Sequence, residues 1–206
     1  MQLTLENLRE RIPYHGALLG FFTLMTSAAL IGANLVTLPA IEQAARDDLK
    51  VSLLQVLPEG LADNDLLADT LSVVDQGVSR TVYRGRKAGA FSAAVFDYSA
   101  RGYAGEIKVL IGVDAAGTVM GVRVLKHAET PGLGDKIEVA KADWIRSFEK
   151  KSLENLSLPR WAVKKDGGEF DQFAGATITP RAVVKAVKEG LQFYAAHRAE
   201  ISGEAK

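Results

Sequence analysis

The chain has no cysteine. That excludes disulfides, thiolate zinc sites, cysteine-ligated iron–sulfur clusters and cysteine nucleophiles within it, and leaves the compartment open. Histidine is almost as scarce: His15, His127 and His197 are too scattered to form a metal site by spacing. Neither sign of charge is in excess, with 25 Lys+Arg against 25 Asp+Glu. No basic stripe points to nucleic acid, and no acidic block makes a solvating tail. Dinucleotide-binding Gly-x-Gly-x-x-Gly and P-loop patterns are missing, as are internal repeats and low-complexity segments. No constellation for catalysis stands out.

Charge is missing altogether from one long stretch. Residues 14–41 contain no Asp, Glu, Lys or Arg. The apolar core over residues 17–38 is long enough, as a helix, to cross a bilayer core of about 30 Å. The apolar part of a signal peptide, at about 7–15 residues, is shorter, so a retained single-pass anchor is expected rather than a cleaved leader. Asn34 is a lone amide near one end, placed to bond a partner helix or to sit at the interface. Flanking charge does not decide orientation, because Arg9 and Arg11 on one side face Arg46 and Lys50 on the other. A short tail inside and a large C-terminal domain outside is the simpler topology.

With 206 residues, there is room for one ordinary soluble domain beside the anchor. Residues 41–57 continue as a helix, with Leu49, Leu53 and Val56 on one side, ended by Pro58 and Gly60. The acidic run over 61–79, with Asp63, Asp65, Asp69 and Asp75, reads as a short helix and loop without a ligand pattern. Strand signals begin near Thr81. Residues 84–89 read as a basic hairpin loop, and 91–96, 106–113 and 118–125 as strands. Ile107, Val109, Ile111 and Val113 make one firmly apolar face, which suits a sheet half-covered by helices. Residues 137–148 read as an amphipathic helix carrying Trp144, Ile145 and Phe148, with Trp144 as core or pocket wall. Residues 156–163 read as a short strand, 164–168 as a loop, and the end after His197 as a frayed tail. The fold class expected is α+β: one N-terminal transmembrane helix, then an antiparallel sheet flanked by helices.

Two stretches are candidates for chemistry. The first is Lys126-His127-Ala128-Glu129-Thr130-Pro131-Gly132-Leu133-Gly134. Two glycines and a proline in so short a run make a structured loop at a strand end. It is either a turn before a helix start at Asp135, or a ligand loop presenting Glu129, Thr130, Gly132, Leu133 and Gly134. The second is Asp171-Gln172-Phe173-Ala174-Gly175-Ala176-Thr177-Ile178-Thr179-Pro180. Gly175 permits a tight turn. Thr179 suits an N-cap and Pro180 a first helical residue. Val183, Val184, Val187, Leu191 and Tyr194 then recur at helical spacing. A helix N-terminus presents unpaired N–H groups and suits a phosphate. The plain alternative is a capped surface helix.

Gly175-Ala176-Thr177-Ile178-Thr179, with Asp171 upstream, resembles the flavinylation motif of the FMN-binding domain family, and the loop from His127 to Gly134 resembles that family's second signature. The two occur in the family's order. The resemblance spans residues 103–194; Ala174 stands where Ser or Asp is usual, and Pro180 where Ser often follows. It implies FMN held by a phosphoester on Thr179, with Gly175, Ala176 and Thr177 along the ribityl-phosphate chain. If that segment is extended, Thr177 and Thr179 point one way and Ile178 into the core. The anchor, length and order of parts resemble the G-subunit family of the Rnf ion-translocating electron-transport complex. The C subunit of sodium-translocating NADH:quinone oxidoreductases is the nearest alternative. Implied partners are the other subunits of a membrane complex and a flavin transferase that uses FAD. The implied place is the inner membrane, with the soluble domain periplasmic. The parts are then a cytoplasmic tail (1–13), an anchor (14–41), a membrane-proximal helical segment with the first strands (42–100), an FMN-binding domain (101–196) and a tail (197–206). The substitution at Ala174 leaves open a cofactor-free assembly module that kept the fold.

Overall fold

The structure is a computed structural model and describes residues 12–204. The expected cytoplasmic tail falls outside these residues except for positions 12 and 13. Helix α1 (Ile12–Val56) opens the described chain. The molecule divides into two compact units, one ending at Asp48 and one running from Leu49.

In the first unit the helix is long and apolar enough to cross a membrane, and its most apolar window is wholly unburied. Leu19, Phe21, Leu24, Leu30, Ile31, Leu35 and Val36 all point outward. Its hydroxyls are satisfied within the helix: Thr23, Thr26 and Thr37 each donate to the carbonyl four residues back. That arrangement suits lipid, where no water is available to pair a hydroxyl.

The second unit is an antiparallel five-stranded meander in the order β1-β2-β3-β4-β5. Its strands are β1 (Thr70–Asp75), β2 (Val78–Lys87), β3 (Ala90–Arg101), β4 (Glu106–Asp114) and β5 (Val119–Lys126). The first two turns are two-residue loops with both residues left-handed: Gln76-Gly77 (φ 49° and 80°) and Ala88-Gly89 (φ 50° and 81°). Such turns match the twist of the strands they join. On one face lies helix α2 (Ile178–Ser202), which buries Val183, Val184, Val187, Leu191 and Tyr194. They meet Phe96, Ile107, Val109, Ile111 and Val113 from the sheet in the main core. Burial pushes the Tyr194 phenol up to about 12. Leu53, Val56, Leu57 and Leu66 cover Ala93, Val95 and Leu110 in a second cluster. The sheet is therefore apolar on both faces, since Leu110 alternates with Val109 and Ile111 along β4.

Several expected elements differ. The acidic segment supplies strand β1, and residues before it line β2 in place of a strand. The Asn64 amide donates to the Arg84 carbonyl and accepts from the Arg86 N–H. The supposed basic loop at 84–89 is mostly strand. Gly85 is there for close approach, not for a turn: a Cβ would meet those of Ala62 and Ala93 at 3.1 Å. Its neighbours Arg84 and Arg86 both hold Asp69. Residues 137–148 are not an α-helix but turns and two 3₁₀ segments, Asp135–Ile137 and Asp143–Phe148. The buried side chains there, Ile137, Ile145 and Phe148, do not form an α-helical stripe. Residues 156–163 contain a 3₁₀ turn (Leu158–Arg160) and one isolated bridge, Val163 to Phe170, rather than a strand. The end after His197 stays helical through Ser202, because Ile201 is buried in the core.

Candidate functional site

The turn between β3 and β4 begins the site. The Gly102 N–H donates to the Gly105 carbonyl at 2.7 Å, and Tyr103 projects from the turn, 71% exposed. The chain then leaves β5 into the loop from His127 to Gly134. Here His127 acts as a brace: the Glu129 N–H donates to its Nδ1 at 3.1 Å, and its Nε2 lies 3.0 Å from the Glu138 carboxylate. The Leu133 and Gly134 N–H groups donate to the Thr130 carbonyl at 3.2 and 3.1 Å. Gly132, at φ 78°, lets the chain turn there.

The third contributor is the start of α2. The expected N-cap was Thr179, but the helix begins two residues earlier. Thr177 occupies the cap position and makes no side-chain cap bond. Thr179 and Pro180 therefore sit inside the first turn, where a proline without an N–H costs no helix bond. The segment from Thr177 to Thr179 is helical rather than extended. As a result Ile178 faces outward, 46% exposed, and Thr179 is buried, contrary to the alternation expected of a strand. The Ala176 N–H donates to the Phe173 carbonyl at 3.2 Å, and Gly175 takes φ 78°, closing the turn into the helix. Arg181 reaches back with paired 2.6 Å bonds to Asp166 and ties the helix start to the preceding loop. That arginine, by hydrogen bond first and by charge second, holds the Asp166 carboxyl below its ordinary range.

These three segments enclose a cleft of about 260 Å³, lined by Tyr103, Glu129, Thr130, Leu133, Gly134 and residues 175–179. Of the candidate residues, Thr179, Thr177, Ala176, Gly175, Glu129, Thr130, Leu133 and Gly134 all line it. Gly132 shapes the loop from outside the lining. Ala174 is exposed and not part of the lining. Trp144 also lies outside: it packs edge-on against Phe148 and Phe173 and donates from its indole to the Asp171 carbonyl. Tyr103 and Ile178 are the lining residues that sequence reasoning missed, Ile178 because it was expected in the core. A single aromatic in a glycine turn, as Tyr103 is, has no periodicity to reveal it.

At the back of the cleft the two motifs meet. The Thr179 hydroxyl donates to Oε2 of Glu129, and Oε1 accepts from the Ala104 N–H at 3.1 Å. Both side chains are almost fully buried, Thr179 at 1% and Glu129 at 4% exposed. A buried carboxylate needs such partners.

A sequence model of the FMN-binding domain matches residues 102–192. The G subunit of the ion-translocating oxidoreductase complex of Stutzerimonas stutzeri is 49% identical over 92% of this chain and 84% of its own length. The chain belongs to the G-subunit family of ion-translocating oxidoreductase complexes. Other members are similarly near: that of Cereibacter sphaeroides is 50% identical over 90% of this chain and 85% of its own. The Pseudomonas aeruginosa member is 44% identical over 92% of each chain. Among solved structures, Shewanella oneidensis NqrC shares the fold, with a TM-score of 0.50 and 19% identity over 74% of each chain.

Proposed function

We propose that this member of the G-subunit family relays electrons through FMN, attached by a phosphoester to Thr179, within a membrane complex that couples electron transfer between ferredoxin and NAD to ion translocation. One observation carries the reading: two motifs fifty residues apart converge on a single buried hydroxyl in a surface cleft. The residues suit the group. Thr179 lies in the first turn of α2, whose unpaired N–H groups and partial positive charge favour a phosphate. Thr177, Ala176 and Gly175 would lie along the ribityl-phosphate chain, and the loop from Glu129 to Gly134 on its other side. Tyr103, Leu133 and Ile178 give the mouth an exposed apolar rim for the ring system. About 260 Å³ is small for a cofactor cavity, so the ring would lie across the rim, open to a neighbouring protein of the complex. The flavin supplies the redox chemistry, while this chain supplies attachment and orientation. Residues 14–41 would hold the domain to the inner membrane, with the domain on the periplasmic side. A separate flavin transferase would install the ester from FAD.

Denaturing gel electrophoresis under ultraviolet light tests the attachment. Co-expressed with a flavin transferase, the wild type should give a fluorescent band and Thr179→Ala none. A dark wild-type band would favour the cofactor-free assembly module.

A further inference from the structure

Glu129 is an expensive residue for this fold to keep. A carboxyl group at 4% exposure needs hydrogen-bond partners, and two places in the backbone are cleared for it. A Cβ on Gly134 would meet Glu129 Cβ and Thr179 Oγ1 at 2.9 Å and Glu129 Oε2 at 3.0 Å. A Cβ on Gly102 would meet Glu129 Oε1 at 2.5 Å. His127 fixes the Glu129 backbone, and the Ala104 N–H occupies one carboxylate oxygen. Among the described residues, the other oxygen is left for the Thr179 hydroxyl alone. These are more supports than a threonine rotamer requires.

We infer that Glu129 is the proton acceptor for covalent modification of Thr179, so that the acceptor protein carries the base for its own flavin attachment. The inference rests on the reading of Thr179 as the attachment residue. The co-reactant is the pyrophosphate of a flavin adenine dinucleotide, presented by a transferase. The Thr179 Oγ1 attacks the flavin-side phosphorus and a new P–O bond forms. The P–O bond to the bridging oxygen breaks, and adenosine monophosphate leaves with that electron pair. The Thr179 proton passes to Glu129 Oε2, to which it is already hydrogen-bonded. An alcohol is a weak nucleophile until such a base takes its proton. Once neutral, the Glu129 carboxyl can donate to the new diester, which a second anion beside it would oppose.

The test follows attachment itself by intact mass, with the full chain in detergent, purified transferase and FAD. Glu129→Gln keeps the side-chain shape but has one acceptor oxygen for two donors, the Thr179 hydroxyl and the Ala104 N–H, and cannot take a proton. Its maximal attachment rate should fall roughly 100-fold, the usual scale for losing a general base, while its apparent KM for the transferase stays within about threefold. Glu129→Asp, which keeps a base at shorter reach, should recover part of the rate, and formate should partly rescue Glu129→Ala. Rates are taken on the folded fraction, selected by gel filtration and near-ultraviolet circular dichroism. Attachment to the Gln variant at wild-type rate overturns the proposal, as does an Asp variant no faster than Gln. A slow rate explained wholly by a raised KM points to recognition and overturns it too. Modification of Thr179→Ala would instead remove the underlying site assignment, which keeps the two failures distinct.

Discussion

Gly132 and Gly134 sit two residues apart in the same loop, yet they are glycines for different reasons. A Cβ on Gly132 would meet nothing within 4 Å, so the residue is needed only for its left-handed backbone, at φ 78°. Gly134 carries no such conformational demand; its Cβ space is taken by Glu129 and Thr179. Gly132→Ala should therefore cost only about 1 kcal/mol of left-handed strain and leave flavin attachment near normal. Gly134→Ala should cost about 1–3 kcal/mol through overpacking and sharply reduce attachment, because it displaces the Glu129–Thr179 pair. Urea unfolding and intact mass on the two variants check both halves. The motif pattern made these residues legible as a group, but not their separate reasons. Thr179 was likewise legible as a helix-start hydroxyl and misplaced by two positions, since the Thr-Pro pair suits a cap as well as a first turn. Its burial depends on Glu129, fifty residues away, which no local pattern encodes.

Among the elements, β2 shows where sequence reading stops. Gly85 between two arginines looks like a turn because glycine and charge both favour loops. In the fold the glycine admits Ala62 and Ala93, and the arginines close on Asp69. Residues distant in sequence decide the element. Strands β4 and β5 were legible because alternation and a short turn are local signals. Around Asp69, burial raises the carboxyl, but hydrogen bonds and charge from Arg86 and Arg84 outweigh it and hold it below its ordinary range. A depressed carboxylate contributes stability above its unfolded value, and loses it as pH falls through the folded value. Asp69→Asn should cost about 1–2 kcal/mol at pH 7. The wild-type advantage should shrink below about pH 4, as the wild-type carboxylate protonates. Denaturant unfolding of both proteins at pH 7 and pH 3 measures this.

The whole molecule divides at a point that sequence composition does not mark. The uncharged run ends at Ile41, but the compact second unit begins at Leu49. Leu53, Val56 and Leu57 belong to its core. The β4–β5 glycine pair, Gly112 and Gly121, leaves room for the Val56 backbone. A chain starting at residue 49 should be soluble and cooperatively folded. One starting at residue 58 exposes Val95 and Leu110 and should lose on the order of 3 kcal/mol or more. Gel filtration and thermal melts distinguish them, and equal stability would mean that the second cluster is dispensable. The function attributed to this molecule rests on one bond. Trypsin cleavage after Lys165 and Arg181 yields a single peptide holding both Thr177 and Thr179. After co-expression with a flavin transferase, fragmentation of that peptide should place the FMN phosphoester on Thr179. FMN on Thr177, or an unmodified peptide from protein exposed to active transferase, would contradict that assignment.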